Sequence, residues 1–177
     1  MNSIADNRLM RTETRPSGSE KGPAPIELES FLPYRLNVLA SSVSHALADV
    51  YGAKFGISIP EWRVMATLGQ FGEITAREIG LHSHMHKTTV SRAVAALAAR
   101  GFIEKRRNRD DMREAFLTMS GKGRAIYLEI VPLARDFAAD LADGLDPKDR
   151  LLLDQLITRL MSRITNMTGG ALPAAVD

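Results

Sequence analysis

The residues of this chain with the most evident chemistry lie in one run, His86-Lys-Thr-Thr-Val-Ser-Arg92, where cations and hydroxyls fill almost every position. On a helix, Lys87, Thr88, Thr89, Ser91 and Arg92 would occupy the first turns. There the free N–H groups and the helix dipole already favour an anion. Lys and Arg can engage phosphate or guanine, and Thr and Ser can reach phosphate, base edges or a thymine methyl. The surrounding charge agrees. From Lys87 to Arg124 there are ten Lys or Arg against four acids, net +6, whereas the whole chain carries +2, so the remainder sums to −4. Such asymmetry suits a face that meets a polyanion. A solvated basic loop would show the same excess, so charge alone leaves both readings open.

Other chemistry is thinly represented. The chain has no cysteine, which removes disulfides, thiolate metal sites and thiol nucleophiles. It has no P-loop, G-x-S-x-G elbow or H-E-x-x-H pair, and Gly121-Lys-Gly123 is too short to cradle a phosphate, so no enzyme is indicated. His82 and His86 stand at i and i+4 and could share a metal on one helical face, with His84 pointing elsewhere. Capping or DNA contact is a sufficient explanation of His86. No cofactor is implied.

Elements that could position the basic run can be read from the apolar spacing. Leu32, Leu36, Leu39, Val43, Leu47 and Val50 predict a long amphipathic helix over Ser30–Phe55, ending near Gly56. Ser58-Ile-Pro-Glu61 is a capping box for a helix through Trp62, Met65 and Leu68 that Gly69 and Gly72 punctuate. Thr75-Ala-Arg-Glu78 is a second capping box for a short helix through Ile79 and Leu81. After a turn at Ser83–His86, Val90, Val94 and Leu97 mark another helix, with Gly101 at its C-cap. Phe102 and Ile103 then begin a β-hairpin that breaks at Asn108–Asp111 and returns over Glu114–Thr118. Ser120 caps a helix carrying Ile126, Ile130, Leu133, Phe137 and Leu141, with Pro132 inside and a stop at Gly144. Asp146-Pro147 starts a last helix with an apolar stripe from Leu152 to Ile164.

The expected fold is therefore mainly α with a small β-wing. A winged helix-turn-helix lobe over residues 57–119 is flanked by helices at 29–56 and 120–168, and tails fill 1–28 and 169–177. The outer helices carry wide apolar stripes that need covering, either within one chain or across a dimer. Hydrophobic and charged fractions of 45% and 25% are ordinary, and no apolar run approaches the ~20 residues that span a bilayer. The first residues lack the apolar core of a secretory signal, so the expectation is a cytoplasmic protein with no membrane partner.

The run Thr75-Ala-Arg-Glu-Ile-Gly…His-Lys-Thr-Thr-Val-Ser-Arg92…Leu97…Arg-Gly-Phe-Ile103 resembles the helix-turn-helix of the MarR family of transcriptional regulators. Asp111-Met-Arg113 followed by Leu117-Thr118 and Gly123 is similar to that family's wing signature, D-x-R…L-T-x-x-G. The likeness covers about Leu32 to Ile164. It implies a homodimer on a palindromic site in double-stranded DNA, with recognition helices in successive major grooves and half-sites ~34–36 Å apart. His86, Lys87, Thr88, Thr89, Ser91 and Arg92 would read the major groove, and Arg109 would also contact the DNA. Arg113, held by Asp111, would enter a minor groove, where a narrow A·T-rich sequence enhances the negative potential.

The resemblance also implies a small-molecule effector, often an aromatic acid or a related compound, in a cleft between the dimerisation helices and the DNA-binding lobe. The facing residues here would be Arg35, Leu39, Ser42, Val43 and His45, with Trp62, Arg63 and Met65 opposite. Leu32-Pro-Tyr-Arg35 and Ile59-Pro-Glu-Trp-Arg63 are similar to a branch linked to aromatic catabolism, for which Arg35 and Arg63 could meet the phosphates of an aromatic acyl-CoA and Trp62 its acyl group. Trp62 as plain core is the competing reading. Repression is the family's commoner mode. A metal-responsive regulator using His82 and His86, and a winged-helix protein-interaction module that does not read DNA, remain the alternatives.

Overall fold

The computed structural model describes residues 24–107 and 114–169. The chain divides into two compact units, residues 1–37 and 38–177. In the first, a turn brings the N–H of Phe31 to the carbonyl of Glu27 at 3.1 Å, and Ser30 Oγ donates to the same carbonyl. Ser30 therefore closes this turn, and helix α1 (Leu32–Phe55) starts two residues after the position the apolar spacing suggests.

In the second unit α1 ends, and α2 (Ile59–Phe71), β1 (Ile74–Thr75), α3 (Ala76–Ser83), α4 (Lys87–Ala99), β2 (Ile103–Arg107), β3 (Ala115–Met119), α5 (Gly121–Asp143) and α6 (Pro147–Met167) follow. Both capping boxes form. The Glu61 carboxylate accepts from Ser58 N at 2.7 Å, and the Glu78 carboxylate accepts from Thr75 N at 2.7 Å. Each box fills backbone donors that a helix start leaves open, so α2 and α3 begin at fixed residues.

The wing is larger than the hairpin expected. β3 lies between β2 and the two-residue β1 in an antiparallel sheet of order β1-β3-β2, with Ile74 opposite Leu117 and Lys105 also opposite Leu117 on the other side. Two residues are too short for periodicity to mark a strand. The core joins Tyr51, Ile57, Val64, Met65, Leu68, Ile79, Met85, Val90, Val94, Leu97, Phe102, Leu117 and Ile130. Its contributors come from α1 through α5, which fixes the basic helix against the lobe.

Gly69 acts differently from the punctuation expected of it. Gly69 lies inside α2, where an added Cβ would stand 2.3 Å from the Tyr127 ring, so it admits α5 and does not end α2. The helix ends at Gly72, with φ 76°. Gly123 packs on the Phe102 carbonyl, and Ser120 Oγ accepts the Gly123 N–H at 3.0 Å. The S-x-x-G spacing of the helix start therefore runs from Ser120, while Leu117 and Thr118 belong to β3.

No residue of α6 is buried in the single chain, and Leu151, Leu152, Leu153, Leu156, Ile157, Leu160, Met161 and Ile164 are all exposed. No helix among the described residues is long and apolar enough to cross a membrane.

Candidate nucleic-acid interface

The turn between α3 and α4 aims the basic helix. His84 takes a left-handed conformation, φ 51°, ψ 38°, and its N–H bonds the Gly80 carbonyl, which stops α3. Met85 then turns into the core at 6% exposure. His86 is extended and is the N-cap of α4: its Nδ1 accepts the Thr88 N–H at 3.3 Å and lies 2.5 Å from Thr88 Oγ1. His82 meanwhile stacks on Phe71, ring centroids 3.9 Å apart. Because the chain reverses at His84, His82 and His86 do not share one helix, and the i, i+4 metal geometry does not arise. Among the described residues no group of three His, Cys, Asp or Glu could hold a metal ion.

Helix α4 has two sharply different faces. Val90, Ala93, Val94 and Leu97 are each at most 5% exposed, whereas Lys87, Thr88, Ser91 and Arg92 are exposed and Thr89 is half-buried. The outward face at its N-terminus thus combines cations, hydroxyls and the positive end of the helix dipole. Arg109, Asp111 and Arg113 lie outside the described residues.

The basic segment is not uniformly available to a polyanion. Arg106 pairs with the Glu73 carboxylate through Nε at 3.0 Å and Nη2 at 2.5 Å, and lies 4.8 Å from the centre of the Phe116 ring. This hydrogen-bonded pairing lowers the Glu73 pKa and raises that of Arg106. Arg100 donates to the carbonyls of Gly56 and Phe55, both at 2.7 Å, and Lys122 donates to the Arg100 carbonyl at 3.1 Å. These three cations contribute to the charge count but are engaged inside the chain. Lys105 and Arg107 are exposed on β2.

The residues expected to face an effector are distributed as follows. Arg35 belongs to the first unit. In the second, Leu39, Ser42 and His45 are exposed and Val43 is half-buried; His45 Nδ1 lies 2.8 Å from the Ser41 carbonyl. Met65 has no exposed surface and packs in the core, which leaves it nothing to offer a ligand directly. Trp62 is half-buried, with its ring centre 5.5 Å from Tyr51 and 5.9 Å from Tyr127, the latter pair stacked. Arg63 is exposed and donates to Ser44 Oγ at 3.2 Å. Burial pushes the Tyr51 phenol up to about 12, opposed by the nearby Arg63 charge. Sequence reasoning passed over Ser44, Tyr51 and Tyr127. The available signal was Gly69, since a glycine inside a helical pattern implies a close neighbour.

Helix, turn, helix and an antiparallel wing on one core define a winged helix-turn-helix protein. Residues 57–115 match the MarR family model, and members of that family are transcriptional regulators. An uncharacterised HTH-type transcriptional regulator of Bacillus subtilis strain 168, YwoH, is 23% identical over 109 residues, covering 62% of this chain and 79% of that protein. A mutant of MarR from E. coli complexed with operator DNA superposes with a TM-score of 0.65 at 20% identity, over 73% of this chain and 94% of that one. PcaV from Streptomyces coelicolor, a transcriptional regulator in complex with its natural ligand, gives 0.67 at 17% identity, over 79% and 98%.

Proposed function

We propose that this protein is a ligand-responsive regulator of transcription that binds a palindromic operator as a homodimer, and that it represses. The observation that carries this reading is the two-faced recognition helix: Val90, Val94 and Leu97 anchor α4 while Lys87, Thr88, Ser91 and Arg92 stay open at its N-terminal end. That is the end of a helix that meets phosphates and base edges in a major groove. His86 caps this turn through Thr88, and Thr89 adds to the DNA-facing set. Arg113, held by Asp111, extends contact to the adjoining minor groove, and Arg109 adds a further DNA contact. The apolar stripe of α6 is covered by a second copy, as expected for a stripe of this width on a terminal helix.

A gel-shift with the full chain and the DNA flanking its own gene, over a salt series, tests this. Binding should be sequence-specific and weaken steeply as salt rises, because phosphate contacts release counterions. Arg113→Ala should weaken it further without dissociating the dimer. A protein that binds no DNA specifically at low salt, while still folded, would be an interaction module instead.

The effector proposed is an aromatic acid or its CoA thioester, met by Trp62 and Arg63 in the second unit with Leu39, Ser42, Val43 and His45. The exposed Arg63 guanidinium beside the Tyr51–Trp62–Tyr127 rings supports a planar anion. A thermal shift with an aromatic acid and, separately, its CoA thioester decides between them, since a ligand that binds the folded form raises the Tm.

A further inference from the structure

Arg100 occupies the junction where the ends of several elements meet. It is the C-cap of α4, following the last helical residue Ala99. Its Nη1 reaches the Gly56 carbonyl and its Nη2 the Phe55 carbonyl, both at 2.7 Å, so one planar fork closes the C-terminus of α1. Those carbonyls carry the negative end of the α1 dipole, where a cation is favoured. Glu61 Oε1 lies 3.9 Å from Nη1, while Glu61 Oε2 holds Ser58 N and Ser58 Oγ, each at 2.7 Å, in the cap of α2. The guanidinium stands 4.4 Å from the centre of the Phe102 ring, and the Arg100 carbonyl accepts Lys122 Nζ of α5 at 3.1 Å. One side chain thus ties the far end of the basic helix to the end of α1, the start of α2 and the start of the wing.

We propose that Arg100 is a positioning residue that sets the angle between α4 and α1, and through it the separation of the two recognition helices in the dimer and hence the half-site spacing the protein accepts. The inference rests on the DNA-reading function proposed above. The physical ground is geometric: two carbonyls spanned by two nitrogens of one rigid plane define a direction, which a single ammonium on a flexible stem cannot. Arg100 touches no base in this arrangement, since its nitrogens are turned toward α1. Its effect is on where Lys87 to Arg92 are presented.

The test uses Arg100→Lys, which keeps the charge and loses the fork, and Arg100→Gln, which loses both. Because the chain has no cysteine, Ala95→Cys on the exposed side of α4 gives one spin-label per protomer. The inter-protomer distance distribution of the free protein should be narrow with Arg100 and broaden in both variants. Duplexes selected by the wild-type protein from a random library, then lengthened or shortened by one base pair between half-sites, should be discriminated less well by Arg100→Lys. The loss should be between about two- and thirtyfold, the range for residues that couple two sites. Unchanged distances in a folded Arg100→Lys protein, or a uniform loss of affinity with spacing preference intact, overturn the proposal. So does a wild-type protein that shows no inter-protomer distance. If the wild-type protein selects no sequence, the regulator reading fails, and the distance measurement still decides what Arg100 holds.

Discussion

The carbonyl oxygen of Phe102 lies 1.9 Å from where a Cβ on Gly123 would stand, so the first turn of α5 is in contact with the backbone leading into the wing. The same carbonyl accepts the Ser120 N–H at 3.0 Å, and Ser120 Oγ donates to the Gly101 carbonyl at 2.7 Å. Gly123→Ala must push one backbone away from the other. That should cost about 2–4 kcal/mol despite the better helix propensity of alanine. The Tm should fall by roughly 5–15 °C in a chain of this size. Gly121→Ala, with nothing within 4 Å, is the control and should change the Tm little.

Gly69→Ala should move Tyr127 away from Trp62. The ring atoms that a Cβ would meet, at 2.3–2.7 Å, are at the far end of the tyrosine side chain, so the ring can swing and the loss should be limited to about 1–3 kcal/mol. Trp62 is the only tryptophan, so its emission reports the change directly. A red shift and a lower Tm are expected. An unchanged spectrum would mean that the Trp62–Tyr127 stack does not depend on this glycine.

Acid should loosen the cap of α3. The backbone N–H of Thr75, joined by its hydroxyl, holds the Glu78 carboxylate below the ordinary glutamate pKa. A depressed folded pKa means that the stabilisation is complete above the unfolded value of 4.5 and is lost as pH falls through the lower folded value. Denaturant titrations of the wild type should show this acid limb, and Glu78→Gln should flatten it. Thr75→Ala loses the hydroxyl but keeps the backbone N–H, so it should shrink the limb without abolishing it and also cost about 1 kcal/mol at neutral pH, the usual loss of a Thr cap.

Charges placed in the α6 stripe should dissociate the proposed dimer. Leu156→Glu with Leu160→Glu puts two carboxylates on a surface that needs an apolar partner, and neither side chain is buried in the single chain. The expected result is a folded monomer by sedimentation, with operator affinity reduced because two half-sites are no longer read together. A double variant that remains dimeric would place the interface elsewhere.

Local chemistry and periodicity determined a large part of this protein without tertiary information. Ser58-x-x-Glu61 and Thr75-x-x-Glu78 fix the starts of α2 and α3, because a capping box is satisfied within four residues. Val90, Val94 and Leu97 identify the buried face of α4, leaving Lys87 to Arg92 outward. Tertiary structure decided what depends on residues distant in sequence. The strand Ile74–Thr75 exists because Leu117 and Phe116 pair with it, and Gly69 is a contact with Tyr127 instead of a helix end. Arg100 and Arg106 look like members of one basic patch when charges are counted along the chain, yet each is held by groups 33–45 residues away, Arg100 by the end of α1 and Arg106 by Glu73. A sequence shows how many cations a segment carries. Which of them remain free for a polyanion depends on where the carbonyls and carboxylates of other elements come to rest.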